Sequence, residues 1–138
     1  ESGLVTPETT VADPGWYKLP GDSRRYRDWI LRIRGTGHAP QVDMNMAIAE
    51  SCDVYFYELA YRLGIDRLHD FGARFGLGVP TGIDNTNERS GLLPSRAWKE
   101  EVRNSHWYPG ETISVGIGQG FMLATPLQLA VKRFLRRC

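Results

Sequence analysis

The chain has 138 residues with 41% apolar and 24% charged composition and a net charge of +1. That length suits one core rather than two, and the near-neutral balance supplies no field that would point to a nucleic-acid partner. Its apolar runs are only a few residues long, far short of the roughly 20 that cross a bilayer.

The opening Glu1-Ser2-Gly3 has neither the basic nor the apolar region of a signal peptide, and reads as the end of a helix stopped by Gly3. Residues 4–42 are rich in Pro, Gly and charge without a sustained period, which predicts loops and short extended pieces. Turn chemistry at Asp13-Pro14-Gly15 precedes the aromatic pair Trp16-Tyr17, and Gly35-Thr36-Gly37-His38 marks a second loop. From Met44 the pattern becomes helical, with Asp43 as cap and apolar residues at 48, 52, 55, 56, 59, 60 and 63. Gly64 is expected to close that helix. A shorter one follows, capped by Asp66, carrying Leu68, Phe71 and Phe75 on one face and ending at Gly76.

Residues 76–94 read as loop, and Ser95 caps a short helix to about Val102. Thr112-Ile113-Ser114-Val115 reads as a brief strand or extended run. Thr125-Pro126 starts the last helix, with the proline in the first turn where its missing N–H costs least. The prediction is a mostly helical, loop-rich chain with little strand.

Two constellations could carry chemistry. Ser51 and Asp53 lie two apart, so on an unbroken helix they would point about 200° away from each other. Periodicity favours that unbroken helix, with Cys52 simply buried. If the two act together, one helix must end near Glu50 and another begin near Asp53, with Cys52 turned away. Ser and Asp suit such a break because their side chains bond local backbone.

Asp13, Asp28, His38 and Cys52 form an acceptable donor set for four-coordinate zinc. No Cys-x-x-Cys or His-Glu-x-x-His spacing is present, and the alternative has Asp13 starting a turn, Asp28 solvated, His38 in a loop and Cys52 packed. Nothing in the spacing of Cys52 and Cys138 asks for a disulfide.

Gly116-Ile117-Gly118-Gln119-Gly120 fails the dinucleotide fingerprint because Phe121 stands where a glycine is needed; it reads as a tight backbone passage before a helix. Asp84-Asn85-Thr86-Asn87-Glu88 lacks the alternation and central Gly of a calcium loop. His69 and His106 read as surface or packing residues, and the basic amphipathic stretch 132–138 as a solvated helix end.

Several segments together resemble the penicillin-binding protein 2 family of Gram-negative bacteria. They include Asp13-Pro14-Gly15-Trp16, Tyr26-Arg27-Asp28-Trp29, Glu50-Ser51-Cys52-Asp53, Gly64-Ile65-Asp66-Arg67-Leu68 and Thr81-Gly82-Ile83-Asp84. Leu4-Val5-Thr6, Tyr55-Phe56-Tyr57, Glu88-Arg89-Ser90-Gly91, Val115 to Gly120 and Ala124-Thr125-Pro126-Leu127-Gln128 complete the set. The resemblance runs in order through about residue 130, and its collinearity gives it specificity.

It implies an α+β fold of the penicillin-binding-protein and serine β-lactamase type, of which this chain is the helical part. It also implies a D,D-transpeptidase that cross-links peptidoglycan stem peptides and is acylated by β-lactams. Such sites use Ser-x-x-Lys, Ser-x-Asn or Ser-x-Asp, and Lys-Thr/Ser-Gly motifs; Ser51-Cys52-Asp53 matches the second. By resemblance, Ser51 relays protons and Asp53 orients substrate or the lysine network. The other two motifs do not occur in these 138 residues. The resemblance places them just before the first residue and beyond Ala130, so the expectation for this polypeptide alone is no transpeptidation.

The resemblance further implies a structural zinc held by Asp13, Asp28, His38 and Cys52. It places the parent on the periplasmic side of the inner membrane, with cell-elongation membrane proteins as possible partners. Residues 1–130 form the partial transpeptidase domain; Val131 to Cys138 depart from the family composition as a divergent basic tail, such as a frameshift or a remnant would leave. A non-catalytic zinc-stabilised cell-wall binding module and an inactive remnant are the alternatives. With the central sheet of such a fold outside the chain, exposed apolar faces and marginal stability in isolation are expected.

Overall fold

The computed structural model describes residues 3–84 and 86–135. Cys138 and the basic side chains from Lys132 onward lie outside the described residues. Segment 4–42 contributes two short strands and a single helical turn: β1 (Trp16–Lys18), β2 (Arg25–Arg27) and α1 (Leu31–Arg34). The strands pair antiparallel with Tyr17 opposite Tyr26, and theirs is the only regular sheet among the described residues. A bridge between Val11 and Val42 ties this segment to the start of the helical part, with N–H···O distances of 2.9 and 2.8 Å.

The helices begin with α2 (Met44–Glu50), capped as the sequence indicates by Asp43, whose carboxylate accepts from the Met46 amide at 2.8 Å. Next comes α3 (Asp53–Arg74), in which two helical stretches meet at a kink at Gly64. The backbone there (φ 76°, ψ 161°) is open in practice only to glycine. Gly64 thus closes the first helical stretch, as the sequence indicates, and a shorter stretch follows in which Asp66 meets Arg96 at 3.1 Å.

Then come α4 (Arg96–Arg103), α5 (Pro109–Gly116) and α6 (Pro126–Leu135). Ser95 accepts from the Trp98 amide at 3.1 Å, and the Thr125 hydroxyl accepts from the Gln128 amide at 3.1 Å.

The extended run expected at Thr112–Val115 is instead the body of α5. Pro109 preorganises the first turn, and Glu111 accepts from the Tyr108 amide at 2.8 Å. The β-branched side chains of Thr112, Ile113 and Val115 are buried, so tertiary packing overrides their strand preference. Gly116 lets α5 lie directly on α3, because any side chain there would collide with Ala60. The glycine run after it is a tight passage that leaves α5, not one that directly begins a helix; Gly118 and Gly120 both have positive φ.

The main core gathers Leu19, Val42, Ala47, Cys52, Val54, Tyr55, Tyr57 and Ile113. A second cluster joins Ile65, Trp107 and Val115, with Phe121 and Met122 against it. Several large apolar side chains remain outside both: Ile33 is 71% exposed and Ile48 64%.

Candidate functional site

The junction of α2 and α3 is built around Ser51. Its backbone is left-handed (φ 54°, ψ 50°), a conformation uphill for a residue with a Cβ. The Cys52 amide reaches back to the Ala47 carbonyl at 2.9 Å, closing α2 with the long bond of a Schellman motif. Cys52 is then extended (φ −73°, ψ 107°) and α3 starts at Asp53. The continuous helix favoured by periodicity is thus broken, because the turn satisfies the helix-end carbonyls from outside. The Glu50 carbonyl accepts from His38 Nε2 at 3.1 Å and the Ser51 carbonyl from Trp29 Nε1 at 2.9 Å. Ser51 is left exposed while Cys52 points into the core with no exposure.

Asp28 is not solvated, as the bland reading of the sequence had it, but 1% exposed. Its Oδ1 accepts from the Ile30 amide at 3.1 Å and its Oδ2 from the Val54 amide at 3.2 Å. The second bond caps α3, a role that the Cys52 side chain leaves unfilled.

Asp13 Oδ1 accepts from the Gly15 amide at 2.7 Å, and its Oδ2 from the His38 amide at 2.9 Å. His38 follows Gly37, where a side chain would run into the Asp13 carbonyl. That close crossing brings loop 35–38 onto loop 13–15, and it is the part of the site that no motif announced.

Asp13, Asp28, His38 and Cys52 consequently converge, with one ligand-type atom from each lying within 4.8 Å of all the others. His38 Nδ1 lies 2.8 Å from Asp13 Oδ2 and 3.6 Å from Asp28 Oδ2, and Cys52 Sγ lies 3.4 Å from Asp13 Oδ2. The side chains of His38, Asp13 and Asp28 have no exposure. Because a carbonyl only accepts, His38 donates through Nε2 to Glu50, and Nδ1 is the ring atom turned toward the two carboxylates.

Burial raises the Asp13 pKa, but the amides of His38 and Gly15 and the contacts with His38 and Cys52 outweigh it and hold the carboxyl below its usual range. Burial pushes the Cys52 thiol up to about 12; the Tyr55 amide opposes the rise, and the contacts with Asp13 and the charge of Asp28 add to it. Two buried carboxylates, an imidazole lone pair and a thiol form a donor set that a divalent cation would balance. Ligands at about 2.0–2.3 Å from a tetrahedral zinc lie roughly 3.3–3.8 Å apart, so the set fits zinc with modest shifts.

Asp53 faces a different environment. It lines an open cleft of about 440 Å³ with Arg27, Trp29, Tyr57 and Gln119. Burial, and then the Asp28 charge, raise its pKa, while the Trp29 amide and His38 act in the opposite direction. Tyr57 is likewise pushed up to about 12, first by burial and then by Asp53 and Asp28.

The sequence matches the penicillin binding protein transpeptidase domain over residues 1–133. The chain belongs to the penicillin-binding protein transpeptidase family. It is 51% identical over 127 residues to the peptidoglycan D,D-transpeptidase MrdA of Salmonella typhimurium, covering 92% of this chain and 20% of that protein. The structure resembles penicillin-binding protein 2 of Pseudomonas aeruginosa, with a TM-score of 0.87 and 50% identity over 95% of this chain and 28% of that one. It also resembles the Helicobacter pylori penicillin-binding protein 2 solved in complex with MreC, with a TM-score of 0.80 and 37% identity over 91% of this chain and 22% of that one. The chain spans about a fifth of the length of the curated relatives it matches. Its helix-rich architecture with one small sheet is the α+β transpeptidase fold in part, as the sequence resemblance implied.

Three features of this penicillin-binding protein segment had no signal in the sequence. Lys99 is buried on α4 and bonds both oxygens of Glu111, twelve residues away. Gln128 is 1% exposed and its amide donates to the carbonyls of Val79 and Ser90, both at 2.7 Å, fastening α6 to the long loop. His69 has a partner the sequence did not reveal, the Pro94 carbonyl at 3.2 Å.

Proposed function

We propose that this chain supplies the middle of the acyl-transfer site of a peptidoglycan D,D-transpeptidase that also binds penicillin. The observation that carries this reading is the left-handed turn at Ser51, which separates the inward Cys52 from its two neighbours. Ser51 stays accessible as a hydroxyl that passes a proton, and Asp53 lines the adjoining cleft, where it can orient a substrate amide or a lysine. The acyl group itself needs a serine nucleophile and a lysine to activate it. No Ser-x-x-Lys and no Lys-Thr-Gly or Lys-Ser-Gly occurs within these 138 residues, so the polypeptide alone is expected to take up no acyl group.

Asp13, Asp28, His38 and Cys52 would hold a zinc ion as a closed, four-ligand structural site. Its task there is to neutralise the buried carboxylates and tie loops 13–15 and 35–38 to the residue between Ser51 and Asp53. The parent enzyme would act on stem peptides on the periplasmic side of the inner membrane. Among the described residues no helix is long and apolar enough to cross a membrane. A cell-elongation membrane protein is a fitting partner, as the complex of the Helicobacter pylori relative with MreC suggests.

A fluorescent penicillin tests the assignment. The full-length transpeptidase containing this chain should be labelled covalently, and Ser51→Ala should slow labelling by roughly 100-fold or more, the usual range for a positioned proton-transfer group. The 138-residue polypeptide should remain unlabelled. Unchanged labelling of Ser51→Ala would remove Ser51 from the mechanism. A second reading, a zinc-stabilised binding module without catalysis, is favoured by the completeness of the four-donor set; it predicts zinc binding by a parent that never takes the label.

A further inference from the structure

We infer that Trp29 is a positioning residue for the transpeptidase reaction, setting the direction of Ser51 through its main chain; the inference rests on the role proposed above for Ser51. The Trp29 indole N–H donates to the Ser51 carbonyl at 2.9 Å, although the ring is 45% exposed and lines the cleft beside Asp53. An exposed tryptophan that spends its only donor on a backbone carbonyl is fixing that carbonyl rather than filling a core.

The carbonyl needs fixing for two reasons. It belongs to a helix end, where the last C=O groups have no partner within the helix. It also belongs to a residue in left-handed backbone (φ 54°), which relaxes toward ordinary backbone unless it is held. The preceding carbonyl, of Glu50, is held in the same way by His38 Nε2 at 3.1 Å. The two donor rings meet edge to face, with centroids 5.8 Å apart and planes at 68°.

Segment 28–38 thus presents two aromatic N–H groups to two successive carbonyls, and together they hold the peptide planes on either side of Ser51. When both planes are released, φ and ψ of Ser51 leave the left-handed region together, which turns its Cα–Cβ bond, and with it the hydroxyl, relative to Asp53. Trp29 therefore controls alignment, while Asp13, Asp28, His38 and Cys52 control whether the loops are tethered at all.

The test replaces Trp29 by Phe, and in a second protein by 3-benzothienylalanine, which keeps the size of the indole and its edge contact with His38 but has sulfur in place of N–H. Both are made in the full-length transpeptidase. Acylation by a fluorescent penicillin is resolved into a dissociation constant and an acylation rate constant, alongside zinc content and melting temperature. The benzothienylalanine protein is expected to keep its zinc and its dissociation constant while its acylation rate constant falls roughly 10- to 100-fold, the scale of a small misalignment. Trp29→Phe should do the same or worse.

Acylation by the benzothienylalanine protein at the unsubstituted rate would overturn the inference. So would loss of zinc, melting temperature and acylation in parallel, which would make Trp29 a scaffold residue only. If the unsubstituted enzyme took no label, the proposed transpeptidase role would fail first, and visibly so.

Discussion

The Lys99 ammonium bonds both carboxylate oxygens of Glu111, at 2.6 and 2.8 Å, and donates in addition to the His106 carbonyl at 2.6 Å. The Lys99 side chain is 5% exposed and that of Glu111 23%, so the pair is shielded from water far more than an ordinary surface bridge. Glu111 also caps α5, so one carboxylate joins two helices and begins one of them. Lys99→Met should destabilise the protein by about 1–3 kcal/mol, since it leaves a part-buried carboxylate without its partner. Lys99→Met with Glu111→Gln should recover part of that loss but not all, because the neutral amide is a weaker cap. Denaturant unfolding of the two variants checks both; a cost below that of a surface pair for Lys99→Met would show the bridge to be dispensable.

Zinc uptake should release a proton from Cys52. Burial and the neighbouring carboxylates push its thiol up to about 12, so it is protonated at neutral pH without metal, and only the thiolate ligates. Affinity should therefore rise by about tenfold per pH unit from this group below that value. Calorimetry in buffers of different ionisation enthalpy measures the release, and Cys52→Ala should abolish stoichiometric binding. The sign for the metal-free protein is opposite. A raised thiol pKa contributes stability that is complete below the ordinary value of 9.0 and is lost as pH climbs toward about 12.

Gly64→Ala should cost about 1–3 kcal/mol, the range for a side chain forced into backbone of this kind. Space is not the cause, as a Cβ there would meet nothing within 4 Å. At Gly116 the reverse holds: alanine collides with Ala60 and should pry α5 from α3. Melting temperatures of the two variants, with near-ultraviolet dichroism of Trp107 as a readout of α5 packing, distinguish a backbone cost from a packing cost.

Acid should loosen the loop after residue 80 before it unfolds the core. Glu88 accepts from the amide and hydroxyl of Thr81, each at 2.6 Å, and from the Gly82 amide at 3.2 Å. The hydrogen bonds from Thr81 hold its pKa below the ordinary 4.5. The sign follows: the contribution is complete above 4.5 and disappears as pH falls through the lower folded value. Hydrogen exchange at the Thr81 amide should accelerate in that window relative to the intrinsic rate, and Glu88→Gln should remove the pH dependence. An exchange profile that ignores the substitution would sink the assignment.

Helix ends were the most legible feature of the sequence, because capping is local chemistry. Asp43, Ser95 and Thr125 each accept the amide bond that their positions promised. The gathering of Asp13, Asp28, His38 and Cys52 was legible as a donor set, with its order supplied by family resemblance rather than by spacing. What escaped was decided at a distance. Thr112 to Val115 became helical through Pro109, Glu111 and the face of α3, none of which a β-branched run reveals. The break at Ser51 depends on donors from residues 29 and 38, and the Lys99 bridge joins two different helices.

Trp29 and His38 grip carbonyls, not side chains, and every amino acid carries the same carbonyl. The grip itself is therefore independent of the side chain at position 50, whereas the left-handed backbone at position 51 still favours residues that tolerate positive φ. A substitution series at position 51 would vary the hydroxyl while both hydrogen bonds beneath it remain available.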